Sequence, residues 1–81
     1  MQINIKFSAS YSAVSGVEEF SVDMPDGSTV EQLIKMLSEN YTDLHLDKKE
    51  TMVVIKDRIA TRHRVLNDNE KAVIFHLFAG G

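Results

Sequence analysis

Cysteine is absent from the 81 residues of this chain, which excludes disulfide staples, thiolate metal sites and thiol nucleophiles together. Long apolar runs are absent too. No stretch is long enough to span a bilayer and no basic segment leads into an apolar one, so the sequence predicts a cytoplasmic protein with no membrane contact. Cations are not in excess: nine Lys and Arg against twelve Asp and Glu leave a formal charge of -3. Nucleic-acid binding therefore has no electrostatic basis, since it rests on clustered Lys and Arg. The histidines, His45, His63 and His76, are scattered without metal-ligand spacing, and no Ser-His-acid set is suggested by position. We expect no metal, no bound cofactor and no catalytic residue, which disfavours an independent hydrolase. Repeats, linkers and low-complexity segments are also missing, so residues 1–81 read as one domain near the lower size limit for independent folding.

What is present is the composition of an ordinary soluble globule, 43% hydrophobic and 26% charged. Ile3, Ile5 and Phe7 alternate with Gln2, Asn4 and Lys6, the period of a half-buried strand. Ser8 to Gly16 reads as a loop holding a turn of helix around Tyr11 to Val14. Phe20, Val22 and Met24 then alternate with Glu19, Ser21 and Asp23, giving a second strand able to pair with the first as an antiparallel hairpin. The only proline sits in Pro25-Asp26-Gly27, a turn in which proline presets φ and glycine is free to take φ > 0. Directly after it, Thr29 with Gln32, or Ser28 with Glu31, fits a capping box. Val30, Leu33, Ile34 and Leu37 form one apolar stripe of a helix ending near Asn40-Tyr41, with Met36 filling a gap beside it.

Thr42 to Glu50 is a polar connection with room for one short helical turn. Met52, Val53, Val54 and Ile55 predict a central strand buried on both faces, turned back at Lys56-Asp57-Arg58 into a short strand at Ile59-Ala60. Arg62, His63 and Arg64 form a small basic cluster read as a solubility feature, with a contact to an anion or acidic partner as the alternative. In Leu66 to Glu70, Asn69 can take the left-handed conformation that usually needs glycine. The closing strand, Lys71 to Phe78, has Ala72, Ile74 and His76 on one side and Val73, Phe75 and Leu77 on the other. So small a domain cannot bury both, and we expect a partly exposed apolar docking surface at Phe75, Leu77 and Phe78. Acids are unevenly placed: Glu18, Glu19, Asp23, Asp26, Glu31 and Glu39 face only Lys6 and Lys35 over residues 1–40. We read this mainly as a solvated face, with an acidic docking patch as the alternative.

Beyond Phe78 come Ala79, Gly80 and Gly81. Two terminal glycines arise by chance in about 0.5% of chains at an average usage near ~7%. They make a thin, flexible tail that suits insertion into a narrow channel. The element order predicts an α+β fold: a mixed sheet of four to five strands around one main helix, with first and last strands as central neighbours.

Gly27-Ser28-Thr29-Val30-Glu31-Gln32-Leu33, the turn Leu66-Asn67-Asp68-Asn69-Glu70 and the final Gly80-Gly81 together resemble the ubiquitin-like sulfur carriers of the MoaD/ThiS type. That family includes the small subunit of molybdopterin synthase and the thiamine-pathway carrier. The resemblance covers nearly the whole chain and implies a β-grasp fold. Ile5-Lys6-Phe7-Ser8-Ala9 is closer to the molybdopterin-synthase branch, whereas Asn69 replaces a turn glycine and His76-Leu77 a proline pair.

The resemblance further implies that a ubiquitin-activating-like adenylyltransferase, using ATP and Mg²⁺, converts Gly81 to an acyl-adenylate. A sulfur donor then turns the adenylate into a thiocarboxylate. A carboxylate with a pKa near ~3.5 is an anion at neutral pH and a poor electrophile, so such activation is required. The transferable sulfur then resides on the terminal carbonyl carbon, which is compatible with the lack of cysteine. From Phe78 the tail extends about 10 Å at ~3.3–3.6 Å per residue, so the partner must dock closely. The chain is expected to be a protein substrate rather than an enzyme, as the noncatalytic small subunit beside a large synthase subunit. Two other readings fit the same residues: a ubiquitin-like modifier joined to lysines, and a noncovalent interaction module using only the sheet face. Within the carrier reading the favoured sulfur acceptor is a pterin, in molybdenum-cofactor biosynthesis, with thiazole, an amino acid or tRNA as the alternatives.

Overall fold

The structure is a computed structural model, and it describes residues 1–77. The first alternation folds as strand β1 (Gln2–Phe7), with Ile3, Ile5 and Phe7 buried and the residues between them exposed or half-buried. The segment expected to be mostly loop is instead a seven-residue helix, α1 (Ala9–Ser15). Ser8 anchors its start by donating its N–H to Ile74 O at 2.9 Å, Tyr11 is buried beneath it, and Gly16 ends it at φ 77°. The positive φ needed there is open to glycine without a Cβ penalty. Strand β2 (Glu19–Asp23) then returns antiparallel to β1, with Ile5 opposite Phe20 and Ile3 opposite Val22.

Of the two capping boxes the sequence allows, Thr29–Gln32 forms. Gln32 N donates to Thr29 Oγ1 at 3.3 Å and Thr29 N to Gln32 Oε1 at 2.9 Å. Ser28 serves the turn instead, donating its hydroxyl to Pro25 O at 2.6 Å. Helix α2 (Val30–Asn40) buries Val30, Leu33, Ile34 and Leu37 against the sheet, and a single 3₁₀ turn follows at Thr42–Leu44.

Strand β3 (Thr51–Ile55) corrects the expectation of burial on both faces. Thr51, Val53 and Ile55 are buried, while Met52 and Val54 are only half-buried, because α2 covers one face of the sheet and nothing comparable covers the other among the described residues. The hairpin turns at Lys56-Asp57, both at positive φ, so β4 (Arg58–Ile59) begins a residue earlier than expected. Strand β5 (Lys71–His76) closes the sheet in the order β2-β1-β5-β3-β4. It runs parallel to β1 and antiparallel to β3, which makes the first and last strands central neighbours as expected. A mixed five-stranded sheet gripping one main helix is the β-grasp, ubiquitin-like fold.

Candidate functional site

β5 is held along both edges, and its two sides differ. Ala72 and Ile74 point into the core and are fully buried. Val73 and Phe75 point to the open face, where Val73 lies opposite Lys6 and Val54 and Phe75 lies opposite Met52. Val54 in turn pairs with Ile59, which is 61% exposed. Met52, Val54, Ile59, Val73 and Phe75 therefore make one apolar surface. The first three escape a reading of the sequence because Met52 and Val54 alternate with residues as apolar as themselves.

Leu77 lies just past the end of β5, 47% exposed, its N–H donated to Glu50 O at 2.9 Å. The expected docking residues Phe75 and Leu77 are thus both at the end of the strand. Phe78, Ala79, Gly80 and Gly81 lie outside the described residues. His76 is half-buried, with its ring edge-on to Tyr11 at 6.5 Å between centroids, and the Tyr11 hydroxyl is 3.3 Å from Thr51 Oγ1. Helix α1 and β3 therefore brace the last residues of β5.

The start of β5 is braced by charge. Glu70 lies on the same side of the strand as Ala72 and Ile74, and is almost fully buried. Arg64 donates to both its carboxylate oxygens at 2.8 Å, and Asn67 N–H to one of them at 2.8 Å. Mainly through the Arg64 hydrogen bonds, and against the effect of burial, these contacts hold the Glu70 carboxyl down at about 2, while the same pairing raises Arg64. Arg62 donates to Thr51 O at 2.8 Å. The basic cluster read as a solubility feature thus includes two arginines that clamp the 60s loop to β3 and to the turn before β5. Asn69 takes φ 65° in that turn, as expected.

A recess of about 640 Å³ beside that turn is lined by Lys56, Asp57, Asp68 and Lys71 among others, and by no hydroxyl or imidazole side chain. Among the described residues no three His, Cys, Asp or Glu are grouped to hold a metal ion. No helix among them is long and apolar enough to cross a membrane. Among the described residues the arrangement presents an apolar surface beside a firmly held strand end.

A model described as the ThiS family matches residues 5–81. No curated protein matches the chain. Similar solved structures include SAMP1 from Haloferax volcanii, at 17% identity and TM-score 0.84 over 100% of each chain. A protein of Pyrococcus furiosus described as molybdopterin converting factor subunit 1 is 16% identical with TM-score 0.84, over 96% of this chain and 99% of that one. A chain of the BexX/CysO complex of Amycolatopsis orientalis is 16% identical with TM-score 0.67, over 98% and 99%.

Proposed function

The chain belongs to the ThiS family of ubiquitin-like sulfur carriers, and from that membership we propose that its working atom is the carboxyl carbon of Gly81. A ubiquitin-activating-like enzyme with ATP and Mg²⁺ joins the carboxylate to AMP, releasing pyrophosphate. Sulfur at the sulfide level (HS⁻ or a donor that delivers it) attacks the acyl carbon, the C–S bond forming as the acyl–oxygen bond to AMP breaks, which leaves a thiocarboxylate and free AMP. The chain is the substrate of these steps and not their catalyst. The observation that carries this reading is the family match running through Gly80 and Gly81.

The body has a definable task in this scheme. Gly81 is four residues past Leu77, at most about 14 Å of chain at ~3.3–3.6 Å per residue, so the enzyme must hold the body close to its nucleotide. Phe75 and Leu77, joined by Met52 and Val54 and continued along the chain by Phe78, supply the apolar surface for that docking. Desolvating aromatic and aliphatic side chains at the centre of an interface is where binding energy concentrates. Of the possible acceptors we favour a pterin, with the chain as small subunit of a molybdopterin synthase, on the likeness to the Pyrococcus furiosus protein. A second reading, a modifier joined to lysines through the same adenylate, is favoured by the likeness to small archaeal modifier protein 1 of Haloferax volcanii.

Intact-mass spectrometry after incubation with the activating enzyme, ATP and a sulfur source should show exchange of one oxygen for sulfur. Deleting Gly81 should abolish that exchange and leave the melting temperature unchanged. Exchange persisting in the deletion variant would sink the assignment to Gly81. Lysines carrying the remnant of residues 72–81 in tryptic digests, where the last cleavable residue is Lys71, with no thiocarboxylate, would favour the modifier.

A further inference from the structure

β5 outruns one of its two neighbours. Its ladder with β1 ends at Ile74, opposite Phe7, and Ser8 N–H closes that side by donating to Ile74 O at 2.9 Å. Phe75, His76 and Leu77 have a strand on the other side only, where Phe75 faces Met52, His76 faces Thr51 and Leu77 N donates to Glu50 O at 2.9 Å. A strand end paired along one edge opens more readily than one paired along both, because fewer contacts must break. Where β1 stops, the chain turns into helix α1, and the residue it places against this end of β5 is Tyr11.

Tyr11 is buried, and its ring stands edge-on both to His76 and, at 6.1 Å between centroids, to Phe7, the last residue of β1. Its hydroxyl lies 3.3 Å from Oγ1 of Thr51, the residue paired with His76 on β3. Thr51 is 1% exposed, so water cannot readily stand in for either partner, and losing one hydroxyl leaves the other unsatisfied. The main chain of Thr51 is itself pinned: its N–H donates to Lys48 O at 3.1 Å and its carbonyl accepts from Arg62 at 2.8 Å. One side chain thus joins the end of β1, the last pair of the β3–β5 ladder and a fixed point on β3.

We propose that Tyr11 is a positioning residue: with Thr51 it fixes the point at which the chain leaves the sheet, and through that point it sets how the Gly81 carboxyl is delivered for activation. The delivery half rests on the function proposed above; the brace itself does not. Gly81 is four residues past Leu77, at most about 14 Å of chain at ~3.3–3.6 Å per residue, so a shift of the exit point is a sizeable fraction of the whole reach. A misplacement of about 1 Å is enough to cost a reacting group much of its rate. Docking is separate, because Met52, Val54, Val73 and Phe75 are held by the β3–β5 ladder whether or not Tyr11 carries its hydroxyl. Loss of the brace therefore lowers kcat and spares KM.

Tyr11→Phe and Thr51→Val each remove one hydroxyl and keep the bulk of the side chain, while Thr51→Ser keeps the hydroxyl. In the isotope-labelled full chain, backbone order parameters at His76 and Leu77 should fall from about 0.85 toward about 0.6 in the first two variants. Asn4, whose N–H donates to Glu70 O at 2.8 Å at the other end of β5, should keep its value. Y11F/T51V should go no further than either single change, because both act through one bond. With the activating enzyme, ATP and a sulfur source, kcat for thiocarboxylate formation should drop about fivefold to tenfold in Tyr11→Phe and Thr51→Val, with KM changed less than about twofold and Thr51→Ser matching the parent. A residue that only adds stability would leave kcat and the order parameters alone at a temperature where every variant is folded. Unchanged order at Leu77, an equal fall at Asn4, or a Thr51→Ser chain as loose as Thr51→Val overturns the brace. A loosened Leu77 with parent kcat overturns the positioning role. A parent chain that gains no sulfur sinks the activation reading and the positioning role with it, while the order parameters still decide the brace.

Discussion

The two sides of β5 are one residue apart in sequence and opposite in use. Glu70, Ala72 and Ile74 form the buried side, while Lys71, Val73 and Phe75 form the open one. Valine and phenylalanine are no less apolar than alanine and isoleucine, so side-chain chemistry does not explain the difference. Coverage does: among the described residues the one long helix lies over one face of the sheet. In a chain this small the second apolar face is what remains after the core is filled, and it becomes surface available to another protein.

Substitutions on the two sides should separate stability from docking. Ile74→Ala, which leaves a void at a fully buried position, should cost about 2–5 kcal/mol in chemical denaturation. If the cost were below about 1 kcal/mol, Ile74 would not be the core residue described. Glu70→Gln probes the charged member of the buried side. The Glu70 carboxyl is lowered from 4.5 to about 2 in the folded chain. A depressed carboxyl stabilises fully above its unfolded value, and that contribution is lost as pH falls toward the folded one. It amounts to roughly 3 kcal/mol, lost between about pH 4.5 and 2. Unfolding free energies measured across that range should slope for the parent and flatten for Glu70→Gln; parallel curves would remove Glu70 as the cause. On the open side, Phe75→Ala should cost less than about 1 kcal/mol in stability but about 2 kcal/mol in binding, near a thirtyfold rise in the KM for activation. A variant with normal KM would move the docking surface elsewhere.

Local patterns carried much of the fold. The Thr29–Gln32 box and the Val30, Leu33, Ile34, Leu37 stripe specify α2 through contacts three and four residues apart, and the period of Ile3, Ile5 and Phe7 specifies β1 with its buried side. That Phe75 and Leu77 come at the end of the last strand was equally legible, because it depends on residue type and position in the chain. The unreadable parts needed distant partners. Met52 to Ile55 has no polar alternation, so its exposed side cannot be told from its buried one until the sheet order is known. Arg64 looks like an ordinary surface cation until the turn at Asn67 to Glu70 brings a buried carboxylate against it. Helix α1 likewise draws on a backbone hydrogen bond from its N-cap residue Ser8 to Ile74 and on a buried Tyr11, which no local pattern shows.

The sequence by itself determined the order of the strands and of the main helix, the buried stripe of α2 and the family, all of which follow from short-range spacing and residue type. Tertiary structure alone decided which apolar face of β3 and β5 stays open, where Glu70 finds its cation, and that β2 is left at the edge. Each of those depends on which strands become neighbours and on which face the single long helix covers, and neighbours far apart along the chain leave no periodicity in it.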